Sequence, residues 1–243
     1  MKQSLFQWRE ARAPLITVLV TTVLLMALAS RAEAADLSGS AAITSDYVWR
    51  GSSQSKGDPA IQAGFKVTWP SGLYASAWAS TVRFDPSVGA NSELDLNAGW
   101  AGALNDDWAL DLNVLHYRYP ATRINLNWTE LNGTLKYRDR HWVSLGYSNE
   151  ALGYAASGTY VLVGTTMPLG ETLRAEATLA HYFLDAGTVG RSGYSHAALS
   201  AIWAFKAPFE LRLSAHATDA RAEAIFGKPL AGNRVEAALQ ATF

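Results

Sequence analysis

From Arg234 to Phe243 the residues fall into two sets with a period of two. Val235, Ala237, Leu239, Ala241 and Phe243 are apolar; Arg234, Glu236, Gln240 and Thr242 are polar, with Ala238 the one neutral member of the second set. Successive side chains of a strand point to opposite faces, so this segment reads as a strand with one apolar and one wet face. A strand of a soluble β-sandwich gives the same alternation. The segment alone leaves two architectures open, and the rest of the chain has to separate them.

Composition narrows the field. The chain has 243 residues, 49% hydrophobic and 17% charged, and no cysteine, which excludes disulfides, thiol catalysis and cysteine-based metal sites together. Trp, Tyr and Phe number 9, 10 and 8, a share expected where aromatic girdles flank a bilayer. A formal charge of −1 supplies no basic field for nucleic acid.

The N-terminus reads as a leader. Lys2, Arg9 and Arg12 precede an apolar run from Leu15 to Leu28, and Ala32-Glu33-Ala34 is a small-residue cleavage site. The run is shorter than the ~18 apolar residues a spanning helix needs. Residues 1–34 are therefore expected to be a cleaved signal peptide and 35–243 a single domain. Its 209 residues carry 16 basic and 19 acidic side chains.

Across that domain, stretches of about ten alternating residues recur between turn clusters. Strand one runs from Leu37 to Arg50, with Leu37, Ala41, Ile43, Tyr47 and Trp49 opposed to Ser38, Ser40, Thr44, Asp46 and Arg50. Ala60–Trp69, Glu93–Gly102, Trp108–Tyr119, Leu126–Arg138 and Thr172–Phe183 alternate in the same way. Leu73–Phe84 sets Tyr74, Trp78, Val82 and Phe84 against small residues and does not declare which face is wet. Trp142–Ser148, Thr159–Met167, Tyr194–Phe205 and Phe209–Thr218 complete the set with the terminal strand. No helical period follows the leader.

The connections decide between sandwich and barrel. Short turns (70–72, 103–107, 139–140, 168–170, 207–208) alternate strictly with longer links (51–58, 85–92, 120–125, 149–158, 184–193, 219–231). A transmembrane barrel with short turns at one rim and loops at the other keeps that rule, and a sandwich has no reason to. The fold class read from the sequence is all-β: an antiparallel transmembrane β-barrel of about 12 strands. In such barrels of the bacterial outer membrane the last strand closes on the first and ends on an interfacial aromatic. Phe243 is accordingly the candidate assembly signal.

The segment Ser45-Asp46-Tyr47-Val48-Trp49-Arg50-Gly51-Ser52-Ser53-Gln54, followed by Asp58-Pro59-Ala60-Ile61-Gln62, resembles the opening hairpin of the TorF family of porins. Ser71-Gly72-Leu73-Tyr74 leading to Trp78-Ala79-Ser80, Glu93-Leu94-Asp95 and Tyr117 to Pro120 carry the same likeness. Trp49 departs from it, standing where a smaller residue is expected. The resemblance implies an outer-membrane barrel that passes small solutes.

The polar sets supply the candidate lumen lining: Asp46, Arg50, Lys66, Glu93, Asp95, Asp111, Glu130, Lys136, Arg138, Arg174, Glu176, Glu210, Arg212, Arg234 and Glu236. Seven basic residues against eight acidic ones predict weak charge selectivity. Several sit as opposite charges two apart on one face, which equally reads as a structural ladder. Ser214 and His216 share a face, but nucleophilic catalysis also needs an orienting group and an oxyanion hole, so no enzymatic activity is expected. No cofactor or metal site is expected either. About 12 strands lie between the eight whose interior side chains fill and the sixteen or more that leave a wide channel. The links look too short for an inward-folded plug. The expectation is a narrow passive channel for small solutes or ions. It would sit in the outer membrane among lipid and lipopolysaccharide, be inserted by the barrel-assembly machinery, and have no nucleic-acid partner. A closed barrel with a structural or adhesive role is the alternative, and a barrel hydrolase a more distant one.

Overall fold

The computed structural model describes residues 34–84, 87–120 and 122–243. The expected signal peptide, apart from Ala34, lies outside the described residues. Twelve strands close into an antiparallel barrel: β1 (Asp36–Thr44), β4 (Ala60–Thr68), β5 (Leu73–Thr81), β6 (Ser92–Ala103), β7 (Trp108–Arg118), β8 (Trp128–Tyr137), β9 (His141–Ser148), β10 (Gly158–Pro168), β11 (Leu173–Leu184), β12 (Gly193–Lys206), β13 (Phe209–Thr218) and β14 (Arg234–Thr242). Closure is made by β14 on β1, with Ile43 opposite Leu239 and Ser40 opposite Thr242. Both described ends of the chain and all the short turns therefore share one rim. The longer links share the other.

Closure removes the sheet edge, so every strand pairs on both sides and the two faces are left to different solvents. Leu37, Ile43, Ile61, Phe65, Leu112, Leu131, Leu179, Leu199, Leu213, Val235 and Leu239 point outward and are exposed. Rings gather on the outside near the short-turn rim: Trp108 lies 4.9 Å from Tyr137, and Trp203 5.3 Å from Phe205. Phe243 belongs to this belt. Its backbone exchanges two hydrogen bonds with Gly39, and its ring covers the same residue. A side chain at Gly39 would start 2.6 Å from that ring, so the missing Cβ on β1 makes room for the last residue.

The orientation of β5, left open by the sequence, is resolved. Tyr74, Trp78 and Ser80 point inward, and the alanines face out. Packing decides this: Trp78 meets Tyr47 edge-on at 5.4 Å inside the barrel.

Four expectations need correction. The first strand ends at Thr44 rather than Arg50. Tyr47 and Trp49 stay in phase with its apolar set but fold back inside the barrel, which the alternation cannot reveal. A plug therefore exists: residues 45–59 turn into the lumen, and Val48–Trp49 (β2) pairs there with Ser52–Ser53 (β3). Arg138 lies past the end of β8, in the short turn to β9, paired with Asp107 of the adjacent turn and exposed, so it does not line the interior. Finally, two links contain α-helix among the described residues. Ala186–Val189 (α1) and Ala220–Phe226 (α2) are each capped by the preceding aspartate, Asp185 and Asp219. At four and seven residues they are too short to write a period into the sequence.

Candidate functional site

The inward-folded link is built around one turn. Arg50 (φ 48) and Gly51 (φ 79) both adopt left-handed backbone, as a two-residue hairpin turn of type I′ requires. A Cβ on Gly51 would come within 2.8 Å of His196 and Thr218, so the tip presses against the wall at β12 and β13. Arginine is not an easy occupant of that conformation, and the surroundings over-determine it. Its guanidinium makes two parallel bonds to Glu130 on β8, Nη1 to Oε1 at 2.9 Å and Nη2 to Oε2 at 2.7 Å. The rings of Tyr160, Trp49 and Tyr182 stand 3.9, 4.5 and 4.9 Å from its centre. The Tyr194 hydroxyl donates to the Arg50 carbonyl at 3.0 Å. Burial works against the charge, but the Glu130 carboxylate outweighs it and holds the guanidinium above its ordinary range.

Aromatic rings complete the constriction. Tyr117 stacks on Trp128 at 4.3 Å, both meet Trp49 edge-on, and Tyr160 shares a hydrogen bond of 2.9 Å with His196. None of these rings was singled out as a site residue from the sequence. The signal was there: Trp128 is in phase with Glu130, Tyr117 with Asp111, and Tyr182 with Arg174 and Glu176. A ring on the polar face of a barrel strand marks a packed stretch of lumen.

Asp46 ties the base of the link. Its carboxylate accepts from Ser53, from Ser55 at 2.9 Å, from the Gly57 backbone at 3.3 Å and from Arg234 of β14 at 2.9 Å. Next to it, Glu236 accepts from Thr44 at 2.8 Å and meets His216 at 3.0 Å. Asp46 and Arg50, assigned by sequence to the wall of the first strand, thus belong to the obstruction rather than to the wall.

Nearer the short-turn rim, the inner face carries a second group. Arg174 holds Glu210 at 2.8 and 2.9 Å and approaches Glu176 at 3.7 Å, while Arg212 holds Glu176 at 2.8 Å. The tight bonds thus run between β11 and β13 rather than between neighbours on one strand. Across the lumen, Lys66 sits 3.8 Å over the Tyr74 ring, whose hydroxyl donates to Asp111 at 2.8 Å. Lys136 lies at the exposed rim. Glu93 and Asp95 of β6 have no cationic partner among the described residues: Glu93 accepts from Tyr119 at 3.0 Å, and its other oxygen and Asp95 Oδ1 are buried without a bond. With Arg138 outside, the inner set is six basic residues against eight acidic ones. All four of its arginines are paired.

The catalytic alternative finds little geometry. Ser214 bonds Ser200 at 2.8 Å, and His216 is engaged by Glu236 on another strand, so the two do not form a nucleophile–base pair.

A sequence model of the family described as "Bacterial protein of unknown function (Gcw_chp)" matches residues 29–243. The chain belongs to that family. No curated protein matches the sequence. Solved structures share the Gcw_chp chain's fold at low identity. A KdgM porin in complex with disordered oligogalacturonate is 7% identical, with a TM-score of 0.55 over 85% of this chain and 98% of that one. A NanC porin is 12% identical, with a TM-score of 0.53 over 86% and 99%. The likeness runs over nearly the full length of both porins and is a likeness of fold. The matched family does not carry the TorF name.

Proposed function

We propose that this protein is an outer-membrane channel of small conductance, in which residues 45–59 form a gate rather than a fixed wall. The observation that carries the reading is the contrast between the barrel's two faces. The outer one is apolar with a ring belt at the short-turn rim; the inner one is charged, which only a wetted lumen or full pairing tolerates. Porin relatives in fold and the TorF-like first hairpin support it. Insertion by the barrel-assembly machinery, with Phe243 as its signal, and contact with lipid and lipopolysaccharide belong to the same proposal.

Selectivity follows from which charges are left over. Arg50, Arg174, Arg212 and Arg234 are each neutralised by a carboxylate. That leaves no basic track for an acidic oligosaccharide such as the one held by the KdgM porin. Among the described residues Glu93, Asp95 and Asp111 have no direct ion pair, against Lys66 and Lys136 likewise without one, so the preference is weak and for cations. Single-channel recording of refolded protein across a salt gradient tests this. Glu93→Gln with Asp95→Asn should move the reversal potential toward anions. The tightly bonded constriction specifically favours one other reading, a closed barrel with a structural or adhesive role. Folded protein with no conductance at any voltage would establish that reading in place of the channel.

A further inference from the structure

At the long-link rim, above the Arg50 turn, lies a cavity of about 330 Å³. Its walls come from the first, second, third, fourth and sixth links and the start of β8, and they are mostly apolar. Trp49, Phe84, Tyr119, Trp128 and Phe226 supply rings, and no charged side chain lines it among the described residues. The guanidinium of Arg50, which lies over the lining residue Trp49, is bonded to Glu130. Ser52, Ser53 and Gln54 are its polar lining residues, beside the rings of Tyr119 and Tyr154. The Ser52 hydroxyl is buried, and it has no hydrogen-bond partner among the described residues. An orphaned hydroxyl in an apolar wall costs about 1–3 kcal/mol unless something bonds it.

We propose that this vestibule binds a small uncharged aromatic molecule carrying one hydrogen-bonding group, which the Ser52 hydroxyl satisfies. Size sets the upper limit. An apolar cavity of roughly 150 Å³ takes a single benzene ring, so one or two rings fit here. Charge is disfavoured because an ion entering would be desolvated with no partner among the described lining residues. Rings are favoured because the lining offers both faces and edges for stacked and T-shaped contact. As the solute class of the channel, the inference rests on the reading above; as a binding site, it stands on the cavity alone.

The test uses refolded protein in nanodiscs, with 4-nitrobenzyl alcohol as probe and 4-nitrobenzoate and glucose as comparisons, followed by calorimetry and tryptophan quenching. Saturable one-to-one binding of the alcohol is expected, at least tenfold tighter than of the carboxylate. Ser52→Ala should weaken it several-fold. Val88→Trp, which fills the cavity from an exposed link, should abolish it. Absence of saturable binding to folded protein, equal affinity for the carboxylate, or binding untouched by Val88→Trp would overturn the assignment. Conductance is measured separately. Binding without conductance would reject the channel and keep the site; conductance without binding would do the reverse.

Discussion

Replacing Arg50 by alanine removes the one ion pair that, among the described residues, holds the tip of the inward-folded link to the barrel wall. The side chains of Arg50 and Glu130 are 9% and 1% exposed. Deleting one member of a buried pair costs ~3–5 kcal/mol, mostly because the survivor is stranded. Among the described residues Glu130 would keep only the Tyr117 hydroxyl, at 3.4 Å. The barrel's twelve-fold strand pairing does not pass through this turn, so the cost falls on docking of the link rather than on the fold. At ~1.4 kcal/mol per decade, the docked-to-released ratio should fall by roughly two to three and a half orders of magnitude. Single-channel recordings of Arg50→Ala should show larger or far longer openings than the parent. Arg50→Lys, which keeps the charge but loses the bidentate fork, should fall between. Arg138→Ala, whose pair lies on the surface of a turn, should leave the trace unchanged. Gel mobility before and after heating shows that each variant is a folded barrel. If folded Arg50→Ala conducts like the parent, the link is not the gate and the constriction is structural.

Three other outcomes follow from the fold. Leu239→Arg places a charge on the outer face and should lower stability by ~2–4 kcal/mol in urea titrations in lipid vesicles, if that residue lies near the bilayer midplane; an unchanged midpoint would mean that this face does not meet lipid. Gly39→Leu should displace the Phe243 ring and, like deletion of Phe243, reduce the heat-modifiable protein recovered from outer membranes. Unchanged yield in both would deny the terminal ring a part in closure. Cysteines at Lys56 and Lys228, on the long-link rim, should react with an impermeant maleimide on intact cells, while one at Ser71, on the short-turn rim, should not. Equal labelling at all three would refute the orientation.

The sequence by itself determined the barrel. Alternation of period two says which residues face water, and strict exchange of short turns for long links says how strands connect. Those two rules place β4, β6 and β7 within one or two residues of their bounds and bring Glu210 and Arg212 to the inner face. Both are local signals, since each side chain's face depends only on its neighbours along the strand. The tertiary structure alone decided what occupies the lumen. Tyr47 and Trp49 continue the apolar phase of β1, so nothing local distinguishes more strand from chain turned inward. That choice is made by groups far away in sequence: Glu130, 80 residues on, binds the Arg50 guanidinium, and Arg234, 188 residues from Asp46, holds the base of the link. The same holds for charge balance. Counting residues gave near neutrality, but which charges remain uncompensated depends on which carboxylate each arginine reaches across the barrel, and that is a property of the closed sheet.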